Sequence, residues 1–428
     1  MSHFSYRNGV LHAESLALSE IAQRFGTPTY VYSKAALLEN FAAYADACKK
    51  HGRATAENAL VCYSVKSNSN LAVLNLLAKQ GSGFDIVSGG ELLRVLAAGG
   101  DPRKVIFSGV GKSREEMQLA LSHDILCFNV ESAAELKRLN DVAGELGKRA
   151  PISLRVNPNV DAKTHPYIST GLKENKFGVA FDEALAIYRS AAILPHIAVV
   201  GIDCHIGSQL LDDAPLLEAL DKLIELIDTL EDEGIAIHHL DIGGGIGINY
   251  NDDQPVAVGD YLGRLFARID AWRAARHAGK AIAVLFEPGR SIVGNAGVLL
   301  TEVQYLKHSP DKNFAIVDAA MNDLMRPAMY EAWHGVQTVK QDGADVRTYD
   351  VVGPVCESGD WLARARELAL AEGDLLAILS AGAYGMTMSS NYNTRGRSAE
   401  VMVDGDQAHL VREREQAAQL FALEKLLP

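Results

Sequence analysis

Positive charge is the scarcer sign in this chain, with 41 Lys and Arg against 54 Asp and Glu and a formal charge of −13. No stripe of Lys and Arg stands out, which argues against a nucleic-acid footprint and against binding to an anionic membrane surface. Long apolar runs are missing as well, so no membrane span is expected. The opening MSHFSYRNGVLHAES lacks a continuous apolar core and a small-residue cleavage pattern, and no secretory signal is expected from it. Cysteine is sparse: Cys48, Cys62, Cys127, Cys204 and Cys356 are odd in number, scattered and without a CxxC pair. That usage fits a reducing cytoplasm and offers no zinc site, so no metal is expected. Low-complexity tracts and repeats of solenoid period do not occur.

What is present is the make-up of a soluble globular enzyme: 428 residues, 48% hydrophobic and 22% charged, enough for two domains or a barrel with an appendage. Residues 5–14 predict a hairpin turning at Asn8-Gly9. A helix is expected over 15–25, closed by Gly26 and Pro28, then a strand-like link at 30–32 and a second helix over 34–51. A rhythm follows. Strand-like runs at 59–66, 83–88, 105–110, 125–130, 152–157, 198–206, 237–242 and 282–287 alternate with helical spacing at 70–80, 90–98, 113–121, 131–147, 182–193, 215–232 and 260–278. Such alternation predicts parallel pairing, and an eight-stranded (β/α)8 TIM-like barrel fits the count better than a doubly wound open sheet. Beyond about residue 290 the pattern turns β-rich, at 297–306, 314–319, 349–356 and 374–380, with a hairpin at Asp404-Gly405 and a last helix over 412–427. The expected fold class is α/β plus β: a segment 1–33 packing with the β domain, a barrel over 34–290, and a C-terminal mostly-β domain over 291–428.

In a βα barrel, chemistry sits where strands end. The first strand, VCYSV, runs into Lys66, whose amine would be partly desolvated there and available for a Schiff base. Other strand ends carry Asp85, Arg155, Asn157, His205, Ser208, Asp241 with Gly243-Gly244-Gly245, and Glu287-Pro288-Gly289-Arg290. Each has a plain structural reading: a snorkelling edge lysine, a core histidine, a capping Asp85, a tight glycine turn, a loop ion pair. Together they supply a glycine nest for an anion, an amine nucleophile, a flat ring partner and a buried carboxylate. Pyridoxal phosphate needs that set.

The stretches YSVKSNSN, GFDIVSGGEL, HIGSQ, DIGGG, FEPGR, GPVCESGD and GAYG resemble the diaminopimelate decarboxylase family, in its order and over nearly the whole chain. That family belongs to the alanine-racemase-like class of pyridoxal-phosphate enzymes. The resemblance implies a barrel followed by a β domain, cytoplasmic homodimers with shared active sites, and decarboxylation of meso-2,6-diaminopimelate to L-lysine, the last step of lysine biosynthesis. It implies Lys66 as the aldehyde-bearing lysine, with Asp85, His205, Ser208, Gly244, Gly245, Glu287, Gly289, Arg290 and Tyr384 around the cofactor. Of these, His205 would stack on the pyridine ring and Glu287 would bond its nitrogen. Cys356 would be the proton donor, against the alternative of a buried inert thiol. Arg290, Arg326, Tyr330, Glu357 and Tyr384 would contact substrate, although Arg326, just before Pro327, also reads as a solvated surface arginine. One departure is Gly396, in Asn393-Thr394-Arg395-Gly396-Arg397, where such sequences often carry proline; it bears on loop rigidity. The rival expectations are a decarboxylase of another basic amino acid or of carboxynorspermidine, an amino-acid racemase, a non-catalytic cofactor carrier, and a barrel of unrelated chemistry.

Overall fold

Short buried runs of β-branched and aromatic residues set the frame. A computed structural model describes residues 3–161, 175–276, 282–342 and 345–428, which fall into two units. The first unit, Phe41–Ile248 with Gln254–Ser291, holds nine strands among the described residues, a two-residue one, Val179–Ala180, and the eight of a barrel: β1 (Ala59–Ser64), β2 (Gly83–Ile86), β3 (Val105–Phe107), β4 (Cys127–Val130), β5 (Ala150–Asn157), β6 (Ile197–Asp203), β7 (His239–Asp241) and β8 (Ala283–Phe286). Each pairs in parallel with the next, and β8 returns to β1 with Val284 opposite Ala59, so the barrel closes. Strands covered on both sides read as continuous apolar runs, as ALVCYS does. Four of the intervening helices start on side-chain caps: Asn70, Ser88 and Ser132 each accept a backbone N–H, and Ser113 forms a capping box with Glu116.

The second unit is Met1–Asn40, Asn249–Asp253 and Ile292–Pro428. Its main sheet runs in the order Trp361–Ala369, Val346–Val352, Asn313–Val317, Gly297–His308, Thr29–Ser33, Ala399–Asp404, Gln407–Arg412. The N-terminal strand Thr29–Ser33 is antiparallel to Gly297–His308 and parallel to Ala399–Asp404. Leu11, Val31, Val298, Leu300, Val401 and Val403 share one buried core there. Among the described residues no helix is long and apolar enough to cross a membrane.

Several elements differ from the expectations. The first strand stops at Ser64, and Lys66 sits on a single 3-10 turn, Val65–Ser67. The helix expected over 15–25 begins with a two-residue strand, Leu16–Ala17, that extends the hairpin by pairing with Val10–Ala13. The helix expected over 412–427 reduces to Ala417–Leu420. Glu415 accounts for its late start: its carboxylate accepts from Arg397 N, Asn391 Nδ2 and Arg412 Nη2, which pins the chain ahead of Ala417. Residues 277–278 of the helix expected over 260–278 lie outside the described residues.

Candidate active site

The strand-end residues of the barrel unit converge. The Lys66 amine donates to Asp85 Oδ2 at 2.7 Å, and Ser64 Oγ donates to the same oxygen at 2.8 Å. Asp85 is fully buried, and its Oδ1 has no hydrogen-bond partner among the described residues. The Asp85 counter-charge favours the Lys66 ammonium, opposing the effect of desolvation. The alternative in which Asp85 caps the next helix fails, because Ser88 caps it. The Glu287-Pro288-Gly289-Arg290 turn is tied to the end of β1 by Ser64 N donating to Pro288 O at 3.0 Å. A Cβ on Gly289 would meet Ser67 Cβ at 3.0 Å, so the turn lies flat against the lysine segment.

Two glycine turns face each other beyond β6 and β7. A Cβ on Gly244 would stand 2.1 Å from Glu287 O, and one on Gly245, at φ +114°, would stand 2.6 Å from Gly207 O. Only bare backbone fits, so no side chain screens the Gly244-Gly245 turn from an anion. His205 lies beside them. Its Nδ1 accepts the Gly244 N–H at 3.2 Å, so that nitrogen carries no proton. Burial, then the Arg155 and Lys66 charges, pull its pKa well below the usual histidine value. The 4.0 Å approach of Nδ1 to Glu287 Oε2 is therefore a neutral contact and no ion pair. Arg290 is buried and donates to Ser208 Oγ from Nη2 at 3.0 Å.

Glu287 lies deeper. Oε1 faces Asn129 Nδ2 at 3.3 Å and Ser108 Oγ at 3.4 Å. Burial first, then the Asp85, Asp241 and Asp203 carboxylates, raise its pKa well above the carboxylate range, with Lys66 opposing. Oxygens of Asp203, Asp241 and Glu287 lie within 4.8 Å of one another. Asp241 is likewise pushed up to about 7, chiefly by burial, although it accepts the Gly243 N–H at 2.8 Å. Sequence reasoning missed Asn129, Ser108 and Asp203. The available signal was a polar side chain inside an otherwise apolar buried strand or at its end, which must find a partner.

The other predicted residues lie in the second unit. Arg326 is buried: its Nη1 meets His334 Nε2 at 2.9 Å, and its guanidinium lies 4.7 Å over the Tyr250 ring. The solvated-arginine reading is therefore wrong, because Pro327 starts a short helix, Arg326–Tyr330, and does not mark a surface loop. Tyr330 ends that helix. Cys356 is the exposed cysteine of the five, so the buried-thiol alternative fails; its N donates to Asn393 Oδ1 at 3.1 Å. Glu357 accepts the Tyr392 hydroxyl at 2.6 Å, and Tyr384 takes a left-handed φ of +55°.

Residues 41–294 match the model of the pyridoxal-dependent decarboxylases, pyridoxal binding domain. The diaminopimelate decarboxylase of Pseudomonas aeruginosa is 61% identical over 428 residues, covering 100% of both chains. The chain belongs to the diaminopimelate decarboxylase family. The Vibrio cholerae member is 56% identical, again over 100% of both chains. Two solved structures share its fold. The diaminopimelate decarboxylase of M. jannaschii in co-complex with L-lysine has a TM-score of 0.94 at 39% identity, covering 99% of this chain and 98% of that one. The Helicobacter pylori enzyme complexed with L-lysine has a TM-score of 0.88 at 42% identity, covering 95% and 99%.

Membership in the family implies pyridoxal phosphate, and the residues present fit that group. The cradle of Gly244 and Gly245 is closed to any side chain. A primary amine stands at the end of β1, and the buried Glu287 carboxyl sits among acids and needs a cation to be comfortable as an anion.

Proposed function

We propose that this chain removes carbon dioxide from meso-2,6-diaminopimelate to give L-lysine, using pyridoxal phosphate in the barrel unit. The observation that carries the reading is full-length identity of 61% to a diaminopimelate decarboxylase, on a chain whose Lys66, glycine turns and Glu287 suit the cofactor. Pyridoxal phosphate, when bound, supplies the sink for the electron pair left as carbon dioxide departs. Lys66 Nζ would hold its aldehyde, with Asp85 keeping that amine in place just beyond β1. The backbone of Gly244, Gly245 and Gly289 with the Ser208 hydroxyl would hold its phosphate. His205, neutral, would offer a flat face to the ring. Glu287 would keep the ring nitrogen protonated, which would deepen the sink.

In the second unit, the Cys356 thiol returns a proton to the α-carbon. Arg326 and Arg290 take the distal carboxylate, Glu357 takes the distal ammonium, and Tyr330 and Tyr384 complete the substrate contacts. A distal carboxylate beside an ammonium calls for arginines together with an acid, whereas a bare distal amine calls for acids alone. We assign residues 1–33 and 291–428 to the β domain, residues 34–290 to the cofactor-binding barrel, and the working form to a cytoplasmic homodimer with shared sites. The test is purified holoenzyme given meso-diaminopimelate, with lysine and carbon dioxide measured. Equal amounts of both products are expected. Tight cofactor binding with no turnover, or carbon dioxide from lysine or ornithine in place of diaminopimelate, overturns the reading.

A further inference from the structure

Glu287 is asked to be an anion in a hostile place. The charged and titratable groups that face it are Asp85 on β2, Asp203 on β6, Asp241 on β7, Arg155 on β5, Lys66 and His205 at strand ends, and the thiols of Cys62, Cys127 and Cys204. Three of the nine are carboxylic acids. Something must stabilise a carboxylate there, and among the described residues the hydrogen bonds to its Oε1 come from Asn129 and Ser108. Asn129 is fully buried on β4, and its Nδ2 reaches both Glu287 Oε1, at 3.3 Å, and Ser108 Oγ, at 3.2 Å.

An amide can be turned over, so its orientation needs its own argument. Two residues earlier on the same strand, and hence on the same side of it, the Cys127 thiol approaches Asn129 Oδ1 at 3.6 Å. Burial and the nearby carboxylates keep that thiol protonated, so it is a donor. Turning the amide would set its oxygen against the Glu287 oxygen, a repulsive contact, and would give up the donation from the thiol to Oδ1. Cys127 is anchored in turn: its Sγ lies 3.7 Å from His239 Nε2 on β7. Gly201 on β6 leaves space for that ring, since a Cβ there would fall 2.0 Å from Nε2. With the hydrogen of neutral His239 on Nε2, donation runs one way through the barrel, from His239 to Cys127 to Asn129 to Glu287.

We propose that Asn129 is a positioning residue for Glu287: its amide, fixed in one sense by the Cys127 thiol, donates to Oε1, favours the ionised carboxylate and leaves Oε2 on the side of His205. The proposal rests on the reading of Glu287 as partner of the cofactor's ring nitrogen. A hydrogen bond to a buried charge is large enough that its loss is expected to raise the cofactor dissociation constant by roughly 10–100-fold.

The variants are Asn129→Leu, which keeps the volume and removes the donors, and the pair Cys127→Ala and Cys127→Ser. Glu287→Gln is the reference. Two readouts do not depend on turnover. One is the ionisation midpoint of the Glu287 carboxyl in cofactor-free protein, assigned by the infrared band that Glu287→Gln removes. The other is the 15N chemical shift of ring-labelled pyridoxal phosphate bound to each variant. Asn129→Leu is expected to raise the midpoint and move the ring-nitrogen signal towards that of Glu287→Gln. Cys127→Ala should do the same to a smaller degree, and Cys127→Ser should stay near the parent. A midpoint and ring-nitrogen signal unchanged in Asn129→Leu overturn the proposal. Should Asn129→Leu not fold, the cysteine pair decides: equal behaviour of Cys127→Ala and Cys127→Ser overturns it. If Glu287→Gln itself leaves the ring-nitrogen signal unmoved, the parent reading of Glu287 fails; if only the Asn129 and Cys127 variants leave it unmoved, the inference alone fails.

Discussion

Two buried groups on β7 make opposite demands on the barrel as pH falls, and separating them is a sharp test of the electrostatics. His239 is buried, and its pKa is lowered from 6.5 to about 4, mainly by burial. Between those values the unfolded chain takes up a proton that the folded one refuses, so acidification removes stability. At 1.36 kcal/mol per unit, a shift of about 2.5 units is worth about 3 kcal/mol once the pH has dropped through about 4. Asp241 runs the other way. Its pKa is raised from 3.8 to about 7, so the unfolded carboxyl ionises first as pH rises and stability is lost towards neutrality. The same acidification therefore restores stability by a similar amount. In the parent protein the two slopes oppose each other over about pH 4–7 and largely cancel.

Substituting each group in turn exposes the other. Cofactor-free His239→Gln should grow more stable relative to the parent as pH falls from about 6.5 to about 4, and Asp241→Asn should grow less stable over about pH 7 to 4, each by a few kcal/mol. Changes in packing displace a whole curve vertically, and only the slope reports the proton. For His239→Gln the other titrating groups are common to the pair compared and drop out of the difference; for Asp241→Asn the slope also carries Glu287 and Asp203, whose carboxyls Asp241 helps to hold up, and it reports the buried acids together. The assay is denaturant dependence of hydrogen exchange at β7 amides, which reads the barrel itself. Curves for His239→Gln and the parent that stay parallel across this range would refute the claim that His239 is held neutral by burial.

Lys66→Ala should abolish reductive trapping of pyridoxal phosphate by borohydride and nearly all activity; a label recovered on the peptide containing position 66 of the parent and absent from the variant is the expected map. Gly244→Ala forces a Cβ against Glu287 O, 2.1 Å away, and should weaken cofactor binding roughly tenfold or more in a fluorescence titration, while unchanged affinity would show that the turn has room to move. Cys356→Ala should slow turnover by about 10²–10⁴-fold with cofactor affinity retained, and an unchanged rate and product would remove the thiol from the reaction. Gly396→Pro is expected to destabilise the β domain by about 1–3 kcal/mol, because a Cβ at this position meets Glu415 O at 2.3 Å; a rise in melting temperature would show instead that the segment yields and gains rigidity.

The barrel was legible because strand and helix periods alternate cleanly, and because a barrel converts position along the chain into position in space. Side chains at strand ends come together there, and Lys66, His205 and Glu287 could be named as candidates on that ground. The β domain gave weaker signals. Trp361–Ala369 alternates imperfectly, with Ala365 at φ +52° and a register shift against Val346–Val352, so a period of two is not sustained. The site residues that escaped share another trait. Asn129, Ser108 and Asp203 lie within the buried strands or directly beyond their ends, where the pattern marks only which side is covered. Yet each is a polar group in a place that penalises unpartnered polarity, and none of the three is there for packing alone. The oversight was to read buried strands for their apolar residues. Their exceptions carry the functional information: a fully buried amide on β4 has to be satisfied by something, and in this fold what it satisfies is the carboxylate at the end of β8. Arg326 teaches the same lesson in the second unit, where burial with His334 and Tyr250 makes it a fixed cation and not a solvated one.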